Sequence, residues 1–137
     1  MKRTYIDSGV LIEAMQGNSG TAVSFQAQRV LLEPDREFAS SIFVKLEVLP
    51  KATYYKNAAE VAFYEDFFNL VVHWAHPDDR LMQAAYQHAC DFGIAALDAL
   101  HVAAAISVGA EELITTEKLS KPIHRATGIT VVSIQPA

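Results

Sequence analysis

The sequence predicts an α/β fold in which a short, mainly parallel sheet of about five strands is flanked by helices, all within one domain over residues 1–137. Short β-prone runs alternate with longer stretches of helical periodicity, the order that parallel strands and their crossover helices impose on a chain. Apolar residues make up 51% of the chain, enough to build a core without staples. No shift in composition marks a linker, and no internal repeat is present.

The first strand, Thr4-Tyr5-Ile6, ends in Asp7 and hands over to a helix through Ser8 and Gly9. Asp7 therefore falls at a strand's carboxyl end, where open α/β sheets place their ligands. Ser8 is the expected N-cap of the helix Val10–Met15, although Asp7 has the same capping chemistry. Gln16-Gly17-Asn18-Ser19-Gly20 is a run of turn residues that stops this helix. Thr21–Leu32 is the second helix, with Val23, Ala27, Val30 and Leu31 on one face, and Pro34 ends it.

Glu37-Phe38-Ala39-Ser40 is the second strand. Ser41 is expected to cap a helix carrying Ile42, Phe43, Leu46, Val48 and Leu49, which Pro50 either kinks or breaks. Asn57 caps the next helix, Ala58–Asn69, whose apolar face is Val61, Phe63, Tyr64, Phe67 and Phe68. The third strand is Leu70–Trp74. Asp78 and Asp79 start a helix running to about Phe92, with Gly93 as its C-cap. Asp98 opens a very apolar helix to Val108. Glu112–Thr115 is the fourth strand, Thr116–Pro122 a loop or single turn, Ile123–Gly128 irregular and Ile129–Ile134 the fifth strand.

A net charge of −5 excludes nucleic-acid binding by bulk positive charge, so any such activity needs a local basic rim or metal ions. The single cysteine, Cys90, excludes an internal disulfide and a cysteine-based metal cluster, and its helical setting predicts a buried thiol in a reducing compartment. No signal-peptide h-region and no apolar run near the ~20 residues of a bilayer span is present, so a soluble cytoplasmic protein is expected.

Three further acids share the setting of Asp7. Glu47 lies between Leu46 and Val48, Asp98 on a helix of Ala, Leu and Val, and Glu117 just after the fourth strand. Each has an ordinary explanation taken singly: Asp98 as an N-cap, Glu117 as a solvated loop acid, Glu47 as the i,i+4 partner of Lys51. Four carboxylates in apolar settings still need partners, because acids are almost never buried alone. Lys45 points away from Glu47, and Lys118 reads as solvated. A divalent cation of the hard, oxygen-seeking kind, Mg²⁺ or Mn²⁺, meets the need. His101, three residues after Asp98, shares its helical side and either orients an acid or packs. His73 and His76 lack zinc-site spacing and read as structural or surface residues. Arg3, Lys45, Lys51, Lys118 and Lys121 are candidate phosphate contacts, and Tyr54, Tyr55, Phe63, Tyr64, Phe67 and Phe68 are core, partner-facing or base-stacking aromatics.

Four stretches in order, Tyr5-Ile6-Asp7-Ser8-Gly9-Val10-Leu11, Lys45-Leu46-Glu47-Val48-Leu49, Leu97-Asp98-Ala99-Leu100-His101-Val102-Ala103-Ala104-Ala105 and Leu113-Ile114-Thr115-Thr116-Glu117, resemble the PIN-domain ribonucleases. The likeness is to the small VapC-type toxins of bacterial toxin–antitoxin pairs and covers nearly the whole chain. It implies an acidic pocket at the strands' carboxyl ends and Mg²⁺- or Mn²⁺-dependent endonucleolytic cleavage of RNA. Asp7, Glu47, Asp98 and Glu117 would be the metal-holding catalytic acids, Thr115 the hydroxyl steadying the site, and Ser8 the polar neighbour of Asp7. The resemblance also implies an antitoxin protein as partner, with the apolar helices around Pro50 as its groove, and a homodimer. The family's fourth acid is usually aspartate and is followed by another acid and a phenylalanine. Here Glu117 is one methylene longer and Lys118-Leu119-Ser120-Lys121-Pro122 follows, so a catalytically impaired module for protein or RNA binding is the alternative. A phosphatase or phospho-acceptor domain fits poorly, because Gly9 stands where the former needs a second acid and no paired early acids serve the latter.

Overall fold

β1 (Lys2–Ile6) is the middle strand of a five-stranded, all-parallel sheet in the computed structural model, which describes residues 1–17 and 20–136. Its neighbours are β2 (Arg36–Ser40) and β4 (Glu112–Thr115), and β3 (His73–Trp74) and β5 (Thr130–Ser133) form the edges. The order β3-β2-β1-β4-β5 reverses direction at β1, which puts the topological switch point beside Asp7. Tyr5 pairs with Ala39, Ile6 with Ile114 and Ser40 with Trp74. This register carries Asp7, Ser41 and Thr115 to the same carboxyl edge of the sheet.

The helices are α1 (Ser8–Met15), α2 (Ala22–Leu32), α3 (Ile42–Tyr54), α4 (Ala58–Leu70), α5 (Asp79–Phe92) and α6 (Ala96–Ser107). α1 packs on α2, α3 on α4 and α5 on α6. The core gathers Tyr5, Ile6, Val10, Leu11, Val44, Leu113 and Ile114, all nearly without solvent contact. α6 meets it through Ala99, Ala103, Ala104 and Ala105, whose lack of bulk lets the helix lie close to the sheet. No single helix among the described residues is long and apolar enough to cross a membrane.

Several local expectations are corrected. Asp7, not Ser8, is the N-cap of α1: its Oδ1 accepts the Ser8 N–H at 2.8 Å, and Ser8 is already helical. The Ser41 side chain caps nothing, because its hydroxyl bonds Tyr5 instead. α3 runs unbroken through Pro50, the exposed proline costing one backbone bond rather than the helix. α4 continues to Leu70 because Phe67 and Phe68 are buried on its inner face, which leaves β3 only two residues. α6 begins at Ala96, so Asp98 sits inside its first turn and does not cap it. Cys90 is exposed, on the outer side of an amphipathic α5. Pro122–Arg125 forms a 3-10 turn where irregular chain was expected. Asn57, Asp78 and Gly93 cap as expected, Gly93 in the left-handed conformation at φ 64°. The turn expected over Gln16–Gly20 includes Asn18 and Ser19, which lie outside the described residues.

Candidate functional site

The carboxyl edge of the central strands concentrates the chain's most unusual side chains. Asp7 is buried, and its two oxygens are held separately, Oδ1 by the Ser8 N–H and Oδ2 by the Thr115 hydroxyl at 2.8 Å. Thr115 Oγ1 also accepts the Glu117 N–H at 3.1 Å, so one buried hydroxyl ties the first acid to the backbone of the fourth. A Cβ at Gly9 would run into the Thr116 hydroxyl, so the glycine in the first turn of α1 lets the loop after β4 close over this edge.

Glu47 enters from α3, half-buried, and meets His101 of α6 at 2.5 Å between Oε1 and Nε2. The same Nε2 is 3.8 Å from Asp7 Oδ1. Candidate ligand atoms of Asp7, Glu47 and His101 all lie within 4.8 Å of one another. His101 is buried, and its other nitrogen, Nδ1, is 2.8 Å from the Tyr5 hydroxyl, which in turn is 2.7 Å from Ser41 Oγ. Burial raises the Tyr5 phenol far above its ordinary range, so it stays a neutral hydrogen-bonding group. Asp98, one turn before His101, is half-buried. Its carboxyl is pushed up by burial and by the negative charges of Asp7, Glu117 and Glu47. Asp98 is therefore an electrostatic neighbour of the other three acids.

The electrostatics lean on a single imidazole. Burial alone pushes the Glu47 carboxyl up, but the His101 hydrogen bond and charge, with help from the Ser8 hydroxyl, outweigh it and hold Glu47 low. Burial alone pushes His101 down, but the bond to Glu47 and the charges of Asp7, Glu47 and Asp98 raise it. Among the described residues, no lysine or arginine pairs with Asp7, Glu47, Asp98 or Glu117. Four carboxylates against one imidazole leave a negative excess that a divalent cation fits in charge and in donor chemistry.

The expected basic rim is only partly present. Arg3 points to the opposite end of the sheet, where it donates to the Val108 carbonyl at 2.7 Å and to Glu37 at 3.2 Å. The Lys45 ammonium lies over the rings of Trp74 and Phe68, 4.8 and 5.4 Å from their centroids. Lys51 does not pair with Glu47 but lines the same cleft beside it. Lys118 and Lys121 are exposed just beyond Glu117. Tyr5 and Ser41 carry no local signal of a shared role, because they belong to separate strand ends. The signal for His101 is a polar ring one turn from Asp98 on an otherwise apolar helix.

A PIN domain family model matches residues 4–119. Solved structures with the same fold include DNA-bound VapBC from Salmonella typhimurium, at TM-score 0.72 and 16% identity, covering 98% of this chain and 100% of that one. VapBC-1 from nontypeable Haemophilus influenzae matches at TM-score 0.68 and 20% identity, covering 96% and 98%. Mycobacterium tuberculosis VapC20, described as a sarcin-ricin loop cleaving toxin, matches at TM-score 0.60 and 20% identity, covering 80% and 86%. At these identities the likeness is one of fold. No curated protein sequence matches.

Proposed function

The chain belongs to the PIN domain family, and from that premise we propose that it is a metal-dependent endoribonuclease, the toxin of a toxin–antitoxin pair. The observation that carries this reading is the meeting of Asp7, Glu47, Asp98 and Glu117 at one sheet edge with no lysine or arginine among the described residues paired to them. Asp7, Glu47 and Asp98 would hold a Mg²⁺ or Mn²⁺ ion, with Glu117 beside them. When bound, such an ion supplies a water of lowered pKa and stabilises charge on a phosphodiester.

The chain's own residues supply positioning. Thr115 and the Ser8 N–H fix both oxygens of Asp7, so that acid loses little freedom when the site is occupied. His101 fixes Glu47, and Tyr5 and Ser41 fix His101. Lys118 and Lys121, exposed just beyond Glu117 in the chain, and Lys51, in the cleft with Glu47, are the candidate contacts for an RNA backbone.

The proposed antitoxin partner is supported by a cleft of about 400 Å³ running from Glu47 along α3 and α4, lined by Ile12, Lys51, Tyr55, Glu60 and Tyr64. A peptide segment lying there would reach the acids directly. Exposed apolar side chains elsewhere, among them Phe25, Leu32 and Tyr86, are compatible with the homodimer that forms part of this reading.

Single-stranded RNA incubated with the purified protein tests the activity. Cleavage is expected with added Mg²⁺ or Mn²⁺, to be lost in a chelator, and to fall by at least two orders of magnitude in Asp7→Asn and Asp98→Asn, the scale of losing a main electrostatic group. Cleavage that persists unchanged in both variants would refute the assignment.

A further inference from the structure

We infer that His101 is itself a metal ligand, and that Asp7, Glu47 and His101 present a two-carboxylate, one-imidazole face that selects a transition-metal ion such as Mn²⁺ over Mg²⁺. The inference rests on the metal-dependent reading above and sharpens it.

The geometry carries it. His101 Nε2 faces two carboxylates from different elements at once, Glu47 Oε1 at 2.5 Å from α3 and Asp7 Oδ1 at 3.8 Å from the end of β1. The three donors lie within 4.8 Å of one another, so a cation among them would open the Glu47–His101 contact and draw Asp7 in.

The far side of the ring is built as ligating histidines require. A metal-bound imidazole needs its second nitrogen anchored, which fixes tautomer and ring plane. Here Nδ1 is anchored by Tyr5, and Tyr5 by Ser41, all three buried. This chain of hydroxyls can run either way. With the proton on Nε2 facing Glu47, Ser41 donates to Tyr5 and Tyr5 to Nδ1. With a metal at Nε2, Nδ1–H donates to Tyr5 and Tyr5 to Ser41. A protonated His101 already donates from Nδ1 to Tyr5, so a metal at Nε2 displaces the Nε2 proton to solvent and leaves the Tyr5–Ser41 anchor as it stands.

The chemistry then sets the preference. Mg²⁺ favours oxygen donors in a near-ideal octahedron and keeps its waters. An imidazole donor adds affinity for first-row transition ions. The half-buried Asp98, one turn before His101, is free to hold a bound water or a further bond to the ion.

Pulsed EPR on the full chain with one equivalent of Mn²⁺ tests this. The wild type is expected to show modulation from one directly coordinated ¹⁴N. Asp7→Asn is expected to lose that signal, which locates the coupled ion in this site. Calorimetry of His101→Gln is expected to show Mn²⁺ affinity reduced by about tenfold or more, a loss that even an outer-shell partner can produce, with Mg²⁺ affinity changed by less than about twofold. Mn²⁺ bound in the wild type without ¹⁴N coupling would overturn the inference and leave the metal-dependent reading standing. A ¹⁴N signal that survives Asp7→Asn would assign it to another histidine and overturn the inference too. No Mn²⁺ binding at all would overturn both. If His101→Gln does not fold, the wild-type and Asp7→Asn spectra decide.

Discussion

Asp7 does two jobs with its two oxygens. Oδ1 caps α1 through the Ser8 N–H, and Oδ2 is held by Thr115. Capping and ligation read as rivals in the sequence, yet a carboxylate has lone pairs enough for both. The more consequential residue is His101, which among the described residues is the basic group that bonds one of the site's acids. Its raised pKa means that its contribution to folding is complete below the ordinary value of 6.5 and is lost as the pH rises through the folded value. Glu47, held low, works in the other direction: its contribution is present above 4.5 and is lost as the pH falls through its lowered value. Asp98, raised by burial first and by its acidic neighbours next, loses stability as the pH rises from 3.8 through its folded value. In metal-free protein, stability is therefore expected to decline as the pH rises above about 6.5, and His101→Gln is expected to abolish that decline. Urea unfolding at a series of pH values in chelator measures it, and an equal slope in the variant would count against the His101 network.

At the scale of elements, α6 and α3 hold the two halves of the site against each other. α6 carries Asp98 and His101, and α3 carries Glu47. α6 reaches its position because Ala99, Ala103, Ala104 and Ala105 present methyl groups to the core. Leucine at Ala104, which has no solvent contact, has no space to enter. Ala104→Leu is expected to destabilise the protein by about 1–3 kcal/mol, the usual cost of overpacking. Chemical denaturation measures this, and a change below about 0.5 kcal/mol would show that α6 packs more loosely than described. Pro50 leaves α3 intact, so Glu47 stays on a continuous helix.

Across the whole molecule, the two ends of the sheet do different work. The carboxyl edge gathers four acids that, among the described residues, have His101 and no lysine or arginine as a partner. The amino edge gathers matched charges: Arg36 with Glu33 and Glu112, Lys2 with Glu112, and Arg3 and His73 with Glu37. Glu112 and Arg36 are largely shielded from water there, their side chains 6% and 14% exposed. Removing Glu112 leaves the shielded Arg36 with Glu33 as its partner and Lys2 in solvent, so the charge is weakened rather than stranded. Glu112→Ala is therefore expected to cost about 1–3 kcal/mol while metal affinity per folded molecule stays within about twofold of wild type. Unfolding curves and Mn²⁺ titration of the same sample check both halves. A loss of metal affinity with little change in stability would show that the two edges are not independent.

The sequence by itself determined the parallel α/β layering and the order of the elements, and it singled out the four acids as candidates, because hydrophobic periodicity and strand-end position are local properties. Its errors came where a tertiary contact outbid a local preference. Ser41 has strong capping chemistry, but the buried Tyr5 phenol offered its hydroxyl a partner across the sheet. Leu70 to Val72 reads as a strand, but the packing of Phe67 and Phe68 draws the helix on to Leu70. Arg3 sits four residues before Asp7, yet strand direction sends it to the opposite edge. Only the tertiary structure decided what neutralises Glu47. Lys51 lies four residues away in the chain and His101 far beyond it, and the imidazole wins because the meeting of α3 and α6 brings it, buried and already anchored, to the carboxylate.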